Sequence, residues 1–444
     1  MARRGAREPL TIYANGELVG TWELGVRGEH VLRYARSWTE SARGRPLSLS
    51  LPFLPGNRFH RGEAVQAYFE NLLPDSVEIL RRVQARFGAP SIGAFDLLRE
   101  IGRDCVGAVQ VLPTDEPVPD VRSIAGSALA ESDVAALLRR TASSPGLVLP
   151  DRDDFRISIA GAQEKTALLY HNEQWMLPRG TTPSTHIFKP ALGRVSDFNA
   201  DLSSSPENEW LCNRILDAFG LPVPESVVAQ YEDRRALVVT RFDRLLSTDG
   251  TWIVRLPVED FCQATSTPPS RKYESDGGPG ILTVMGILGA SRVPSDRATF
   301  LTAQILMWML GAPDAHAKNF SIFLEPGGSF RLAPVYDVLS AWPVLGHGPD
   351  RIPIQRLRMA MAVTGKNRHY RWDAIAARHW IETARRHGVS TPTTVGIMER
   401  LIERTESAID RAITELPTDF PEPTASAIFQ GLRSSAERLR KSQI

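Results

Sequence analysis

Apolar and polar positions alternate through "LTIYANGELVGTWEL" (10–24), broken by Asn15-Gly16. Alternation around an Asn-Gly pair predicts a tight β-hairpin. "EHVLRYA" and "RPLSLSL" repeat the two-residue period and predict further strands. The period then lengthens, and Glu63 to Leu73, Asp75 to Phe87 and Ser91 to Ile101 each read as a short helix before "GAVQVLP" returns to strand. After one helix at Glu131 to Thr141, strand patterns resume in "ISIAG", "KTALLYH", "THIFKP", "SVVAQYE" and "RALVVTRF", with a helix at Glu207 to Phe219 among them. Beyond Pro257 the pattern is mainly helical, over 259–265, 281–288, 295–310, 373–387, 392–415 and 423–441. One hairpin interrupts it: "FSIFL", "EPGGS", "FRLAPVYD".

These elements predict an α+β chain in four parts. Residues 1–115 form a small β-rich unit, and 116–150, rich in Pro, Ser and acidic residues, connect it onward. Residues 151–257 form a strand-rich lobe and 258–444 a helical lobe. A length of 444 residues with 42% hydrophobic positions is ample for a core and long for one compact unit.

Charge narrows the function. Lys plus Arg (52) nearly cancels Asp plus Glu (51), so net charge gives no nucleic-acid binder, and DNA contact would need a local patch or a partner. The basic patches "TARRHG" and "LRSSAERLRKSQI" read as solvated helix faces. Cys105, Cys212 and Cys262 are scattered, with neither metal spacing nor a disulfide framework. The start, "MARRGAREPL", is basic without an apolar stretch, and the strongest apolar run, Ile305 to Leu310, is too short to span a bilayer. A soluble, cytoplasmic protein without a membrane partner is expected.

The densest chemistry lies in Asp314-Ala-His-Ala-Lys-Asn319. An Asp and an Asn separated by four residues have the spacing of a protein-kinase catalytic loop, where the Asp accepts the acceptor hydroxyl's proton and the Asn holds magnesium. The spacing is common by chance, but here an apolar helix precedes it and a hairpin follows, ending at "VYDVLS" with Asp337. Asn319 and Asp337 would supply the hard oxygens that Mg²⁺ prefers. The bland reading is a surface loop and a capping Asp; the ordered context favours a site.

A phosphoryl-transfer site needs two things from the strand-rich lobe. The first is a small-residue loop whose N–H groups cradle phosphates, which "ISIAGAQEKTALL" offers at Ala160, Gly161 and Ala162 although no Walker loop is present. The second is a strand Lys: Lys189, with Glu209 or less readily Glu207 as its partner on the next helix. "VVTRFDR" lies where a chain linking two lobes should pass, so backbone at Thr240, Arg241 and Phe242 would meet the adenine edge.

Together, "ENLLPD", "GRDCVGAV", "ISIAGAQEKTALL", "THIFKP", "RFDR", "DFCQ", "KYESDGGPGI", "DAHAKNFS", "PVYDVLSAWPVL" and "ELPTDFP" resemble, nearly end to end, the HipA family, the serine/threonine kinase toxins of bacterial toxin–antitoxin pairs. The resemblance implies an atypical two-lobed kinase, a docked β-rich N-terminal subdomain, and use of ATP and Mg²⁺. It implies Asp314 as catalytic base, His316 near the γ-phosphate, and Asn319 and Asp337 as metal ligands. Nucleotide contacts would fall at Ala160, Gly161, Ala162, Gln163, Glu164, Lys165, Lys189, Thr240, Arg241, Phe242 and Tyr336. Autophosphorylation at Ser158 would eject the nucleotide loop and silence the kinase. The family's substrates are aminoacyl-tRNA synthetases, the glutamyl enzyme best known, and their phosphorylation halts translation and causes dormancy. The partner would be a HipB-like helix-turn-helix antitoxin dimer on operator DNA, with co-repression of the operon.

This chain departs from the pattern in three places; the first changes little where recognition is through backbone, and neither of the other two removes a functional group. Thr240 stands where some members carry Glu, Pro313 precedes the catalytic-loop Asp, and Ala315 occupies a Gly position. The rival readings are a small-molecule kinase of the aminoglycoside or choline type, and a catalytically silent co-repressor. The first would not be expected to carry a Ser beside "AGAQEKTALL", and the second lacks a missing catalytic group.

Overall fold

The computed structural model describes residues 7–142, 160, 163–195, 200–348 and 350–442; Ser158, Gly161 and Ala162 lie outside them. The Asn15-Gly16 hairpin forms as the pattern predicts, with both residues at positive φ. Its strands, Leu10–Ala14 and Glu17–Leu24, are central in a five-stranded antiparallel sheet with Val109–Pro113 on one side and His30–Tyr34 and His60–Arg61 on the other. Helices Glu63–Glu70 and Ala94–Ile101 supply the opposing apolar layer, with Trp22 stacked on Phe69 at 3.7 Å.

"RPLSLSL" does not form a strand. Its alternation is real, since Leu47 and Leu51 are buried. Its polar groups, however, are satisfied away from any ladder. The Leu47 N–H donates to the Tyr34 hydroxyl (2.9 Å), the Leu49 N–H to Glu259 (2.9 Å), and the Ser48 and Ser50 hydroxyls to the Gln263 carbonyl (3.1 and 2.7 Å). The segment thus docks the N-terminal unit on the helical lobe.

The second sheet has six strands in the order Ser226–Tyr231, Arg234–Thr240, His186–Pro190, Thr166–His171, Gln174–Pro178, Gly126–Ala128. His186–Pro190 sits near its middle, antiparallel to both neighbours, and Lys189 faces Leu237 across the ladder. Helix Ser205–Ala218 packs against this sheet and joins the large core of the helical lobe.

That core surrounds helix Asp296–Met309, whose residues from Ala303 to Met309 are all buried. An all-round apolar helix of this kind belongs in a protein interior. Helices Ala377–Arg385, Thr391–Thr414 and Glu422–Lys441 enclose it. Two details differ from expectation. The predicted helix 259–265 begins instead as strand Val258–Asp260, paired with Ser321–Leu324, and only Phe261–Ala264 is helical, entered through an Asp260–Gln263 capping box. A second hairpin, Arg358–Thr364 with Arg368–Arg371, joins the predicted one; it was hidden because its first strand is buried on both faces and so lacks alternation. Among the described residues no helix is long and apolar enough to cross a membrane.

Candidate active site

The helix Asp296–Met309 ends at Leu310, and Gly311 takes positive φ to turn the chain into Asp314-Ala-His-Ala-Lys-Asn319. Asn319 fixes the turn by donating its side-chain N–H to the Asp314 carbonyl (2.8 Å), which leaves its amide oxygen as an acceptor. The Asp314 side chain is half exposed and accepts from the Tyr273 hydroxyl at 2.5 Å. His316 is buried, with Nε2 3.6 Å from the Asp314 carboxylate and the Tyr273 ring set edge-on at 5.1 Å. Burial pushes the His316 imidazole down, against a weaker upward pull from Asp314, so the ring is neutral near pH 7. Its Nδ1 is a buried nitrogen without a partner among the described residues, a state proteins rarely leave unexplained.

The hairpin Ser321–Leu324 and Phe330–Leu332 carries the chain to Asp337, which sits at φ +61°. Asp337 lies across from Lys189. The Lys189 ammonium bonds Glu209 Oε1 at 2.7 Å and Asp337 Oδ1 at 2.7 Å, itself nearly fully buried. Of the two candidate partners the geometry selects Glu209; Glu207 is paired instead with Arg235. Burial opposes charge on Lys189, but Asp337 and Glu209 outweigh it and hold the ammonium strongly protonated. Burial likewise pushes Asp337 up, and Lys189 followed by Lys165 more than reverse it, so this carboxylate stays ionised. Lys165 is pulled down to about 8, chiefly by burial.

The remaining expected nucleotide contacts divide. Ala160 is half-buried, and Gln163 donates to the Pro190 carbonyl (3.0 Å) beside Lys189. Glu164 is ion-paired with Arg82 of the N-terminal unit, so it ties the loop to that unit. At the expected adenine edge, two of the three backbone N–H groups are already engaged. The Thr240 N–H donates to Glu225 O and the Arg241 N–H to Thr185 O, both at 2.9 Å, which leaves Phe242 as the N–H donor of the three. The Arg241 side chain is also committed: it is buried against Asp243 (2.8 Å) and Asp104 (3.3 Å). The Phe242 ring packs against Tyr336 at 5.5 Å, and Tyr336 OH is shared with Ser321 Oγ (2.6 Å) and the Lys318 carbonyl (3.0 Å).

Arg241 belongs to a buried network that sequence reasoning missed. Asp104 of the N-terminal unit receives Arg244 (2.8 Å) and Arg241, and Arg255 lies 3.7 Å away. Asp243 bonds both Arg241 and the Gly107 N–H (2.7 Å). The N-terminal unit thus grips the segment that links the lobes. Also missed was Asp75, treated below. Neither Asp75 nor Asp104 carries a local signal, because the charged partners of each lie more than a hundred residues away.

The donor set suits a nucleotide with its metal. Among the described residues no group of three His, Cys, Asp or Glu side chains forms a metal nest. Asn319 and Asp337 are the groups that would hold Mg²⁺ together with phosphate oxygens, the usual habit of that ion. His316 lies near enough to Asp337 to help hold its carboxyl down, and Lys189 meets that carboxylate at 2.7 Å.

A family model of the HipA N-terminal domain matches residues 10–112, and one of the HipA-like C-terminal domain matches 157–410. The chain belongs to the HipA family. Y4mE of Sinorhizobium fredii is 31% identical over 414 residues, covering 91% of this chain and 92% of that one. The serine/threonine-protein kinase toxin HipA of Shewanella oneidensis is 26% identical over 321 residues, 70% of this chain and 69% of its own. The solved Shewanella oneidensis complex of HipA, HipB and operator DNA superposes with TM-score 0.80 at 23% identity, covering 97% of each chain. The fold is therefore that of HipA, a mixed α+β kinase fold, and this chain is a HipA-family serine/threonine-protein kinase.

Proposed function

We propose that this chain is an ATP- and Mg²⁺-dependent protein kinase acting as the toxin of a toxin–antitoxin pair. The observation that carries the reading is one juxtaposition. Lys189, tied to Glu209, meets Asp337 at 2.7 Å; His316 of the Asp314–Asn319 loop acts on the same carboxylate, and the Tyr336 hydroxyl beside Asp337 fastens that loop at the Lys318 carbonyl. ATP with Mg²⁺ supplies the phosphoryl group and the charge neutralisation for its transfer. Lys189 orients phosphate oxygens while Glu209 keeps the ammonium in place. Asn319 and Asp337 offer metal oxygens. Asp314, exposed at the mouth, accepts the proton of the acceptor hydroxyl, and the Tyr273 hydroxyl now on it marks where such a donor sits. Phe242 offers its backbone to the adenine. Phosphorylation of Ser158 would place a second dianion beside the nucleotide loop and silence the enzyme.

The acceptor class we assign is an aminoacyl-tRNA synthetase, the glutamyl enzyme first, in line with the family resemblance. A HipB-like helix-turn-helix antitoxin dimer is the partner, through which the chain reaches operator DNA and co-represses its operon; the Shewanella oneidensis complex with HipB and operator DNA supports this. Phosphoproteomics of a growing bacterial culture expressing the chain, against the Asp314→Asn variant, tests the assignment. The expected result is one dominant new phosphosite on a synthetase. A dominant site on an unrelated protein would overturn the substrate.

A further inference from the structure

We propose that Asp75 of the N-terminal domain is a positioning residue for phosphotransfer, holding both flanks of Asp314 through one carboxylate. Asp75 lies just before helix Val77–Phe87, remote in sequence from the catalytic loop. One of its oxygens receives the Lys318 ammonium and the other the Lys272 ammonium at 2.8 Å. All three side chains are largely buried, at 10% exposure for Asp75, 3% for Lys318 and 12% for Lys272. Burial pushes the Asp75 carboxyl up, and Lys318 and Lys272 outweigh it, so the carboxylate stays charged.

What each lysine is attached to gives the contact its meaning. Lys318 lies in the single turn Ala317–Asn319, directly after His316 and Ala317 and before Asn319. Its carbonyl receives the Tyr336 hydroxyl (3.0 Å), next to Asp337. Lys272 precedes Tyr273, whose hydroxyl donates to Asp314 at 2.5 Å. One carboxylate therefore pins the base of the loop through Lys318 and its mouth through Lys272 and Tyr273. Asp75 is itself anchored from behind. Asn71 donates to the Thr267 carbonyl at 2.8 Å, and Gln263 donates to the Tyr68 carbonyl at 3.1 Å. Other titratable groups facing Asp75 and its lysines are Asp260, whose carboxyl burial raises to about 7, Lys165, and the buried His316. None of them bonds Lys318, so removing Asp75 leaves that ammonium buried without a direct counter-charge. A shift of the loop by about 1 Å is enough to cost on the order of a hundredfold in rate.

The inference rests on Asp314 being the transfer site, and the test separates the two. The full chain is compared with Asp75→Glu and Asp75→Asn. Asp75→Glu keeps the charge and therefore the fold, displacing the carboxylate by one methylene. Three quantities are read: MgATP affinity by calorimetry, single-turnover phosphotransfer from labelled ATP, and amide hydrogen exchange over 312–320. For Asp75→Glu the expected result is MgATP affinity within about threefold, transfer slower by about tenfold or more, and faster exchange over 312–320. Asp75→Asn should slow transfer further. Adding Lys318→Met to Asp75→Asn should recover part of the loss, since the stranded charge is gone. Transfer within about twofold of the parent, or equal losses of affinity and rate, overturns the proposal. If the parent itself transfers no phosphate, the reading of Asp314 fails; unchanged exchange over 312–320 would then sink Asp75 as well, and faster exchange would uphold its hold on the loop.

Discussion

Replacing Asp337 by Asn separates its two assigned duties, charge partner and metal ligand. Asn is the right substitute because residue 337 sits at φ +61°, a left-handed conformation that Asn tolerates, whereas other side chains add about 1–2 kcal/mol of strain. Removing one partner of a buried ion pair costs about 3–5 kcal/mol when the remaining charge is stranded. Lys189 is not stranded, since Glu209 stays at 2.7 Å and Asn still offers an oxygen. The unfolding free energy should therefore fall by about 1–3 kcal/mol. Nucleotide binding should respond with opposite signs. The substitution removes a negative charge from beside the phosphate position and frees Lys189, so metal-free ATP should bind as tightly as before or more tightly. MgATP loses a carboxylate ligand and should bind about tenfold to a hundredfold more weakly, or ~1.4–2.8 kcal/mol. Calorimetric titrations with and without Mg²⁺ read both. Equal losses in the two titrations would refute the metal role and leave Asp337 as a structural partner of Lys189.

Glu259 is fully buried and burial raises its carboxyl to about 8, from an ordinary value near 4.5. Its folded pKa lies above its unfolded one, so its stabilising contribution is complete below about pH 4.5 and is lost as pH rises through about 8. Glu259→Gln should thus match the parent near pH 5 and exceed it near pH 8.5 by on the order of 2–4 kcal/mol in urea unfolding; identical pH profiles would count against a buried, protonated Glu259. Asp104→Asn leaves Arg241, Arg244 and Arg255 buried with Asp243 as their remaining carboxylate, and should lower stability by about 3–5 kcal/mol while the exposed control Asp233→Asn does not; equal urea midpoints would remove the network as an anchor. For Ser158, Asp314→Asn protein serves as acceptor and Ser158→Ala protein as enzyme. Phosphate located on Ser158 by mass spectrometry should accompany weaker ATP binding, since it adds about −1.5 to −2 charge beside the nucleotide loop; unchanged affinity of the modified fraction would rule out the silencing role.

Much of the site was legible because its parts are local. The Asp314 to Asn319 spacing, the hairpin after it and Asp337 lie within twenty-four residues, and the apolar helix before them is unambiguous. Lys189 could be read from its place at the end of an apolar strand, although choosing Glu209 over Glu207 required helix Ser205–Ala218 to be placed against the sheet. The segment 45–51 failed for an opposite reason. Its alternation is that of a strand, but Glu259 and Gln263 of another lobe satisfy its hydrogen bonds, and no local pattern encodes that. The hairpin at 358–371 was invisible because burial on both faces erases the two-residue period. Arg241 shows a third kind of hidden partner. Position suggested an adenine contact, while its side chain and N–H are both committed to partners fixed by tertiary structure. Asp75 and Asp104 show the general limit: a residue whose role is to hold a distant loop has meaning only once the chain is folded.

The most direct test of the account is phosphotransfer by Asp314→Asn. The substitution keeps the shape of the side chain and removes the carboxylate that accepts the acceptor's proton. Autophosphorylation from labelled ATP should fall by about 10²- to 10⁴-fold, while calorimetric MgATP affinity stays within severalfold because Asp314 points to the mouth of the site and bonds Tyr273 rather than Lys189. Transfer at the parent's rate would contradict the assignment of Asp314 and, with it, the reading of this loop as the centre of catalysis.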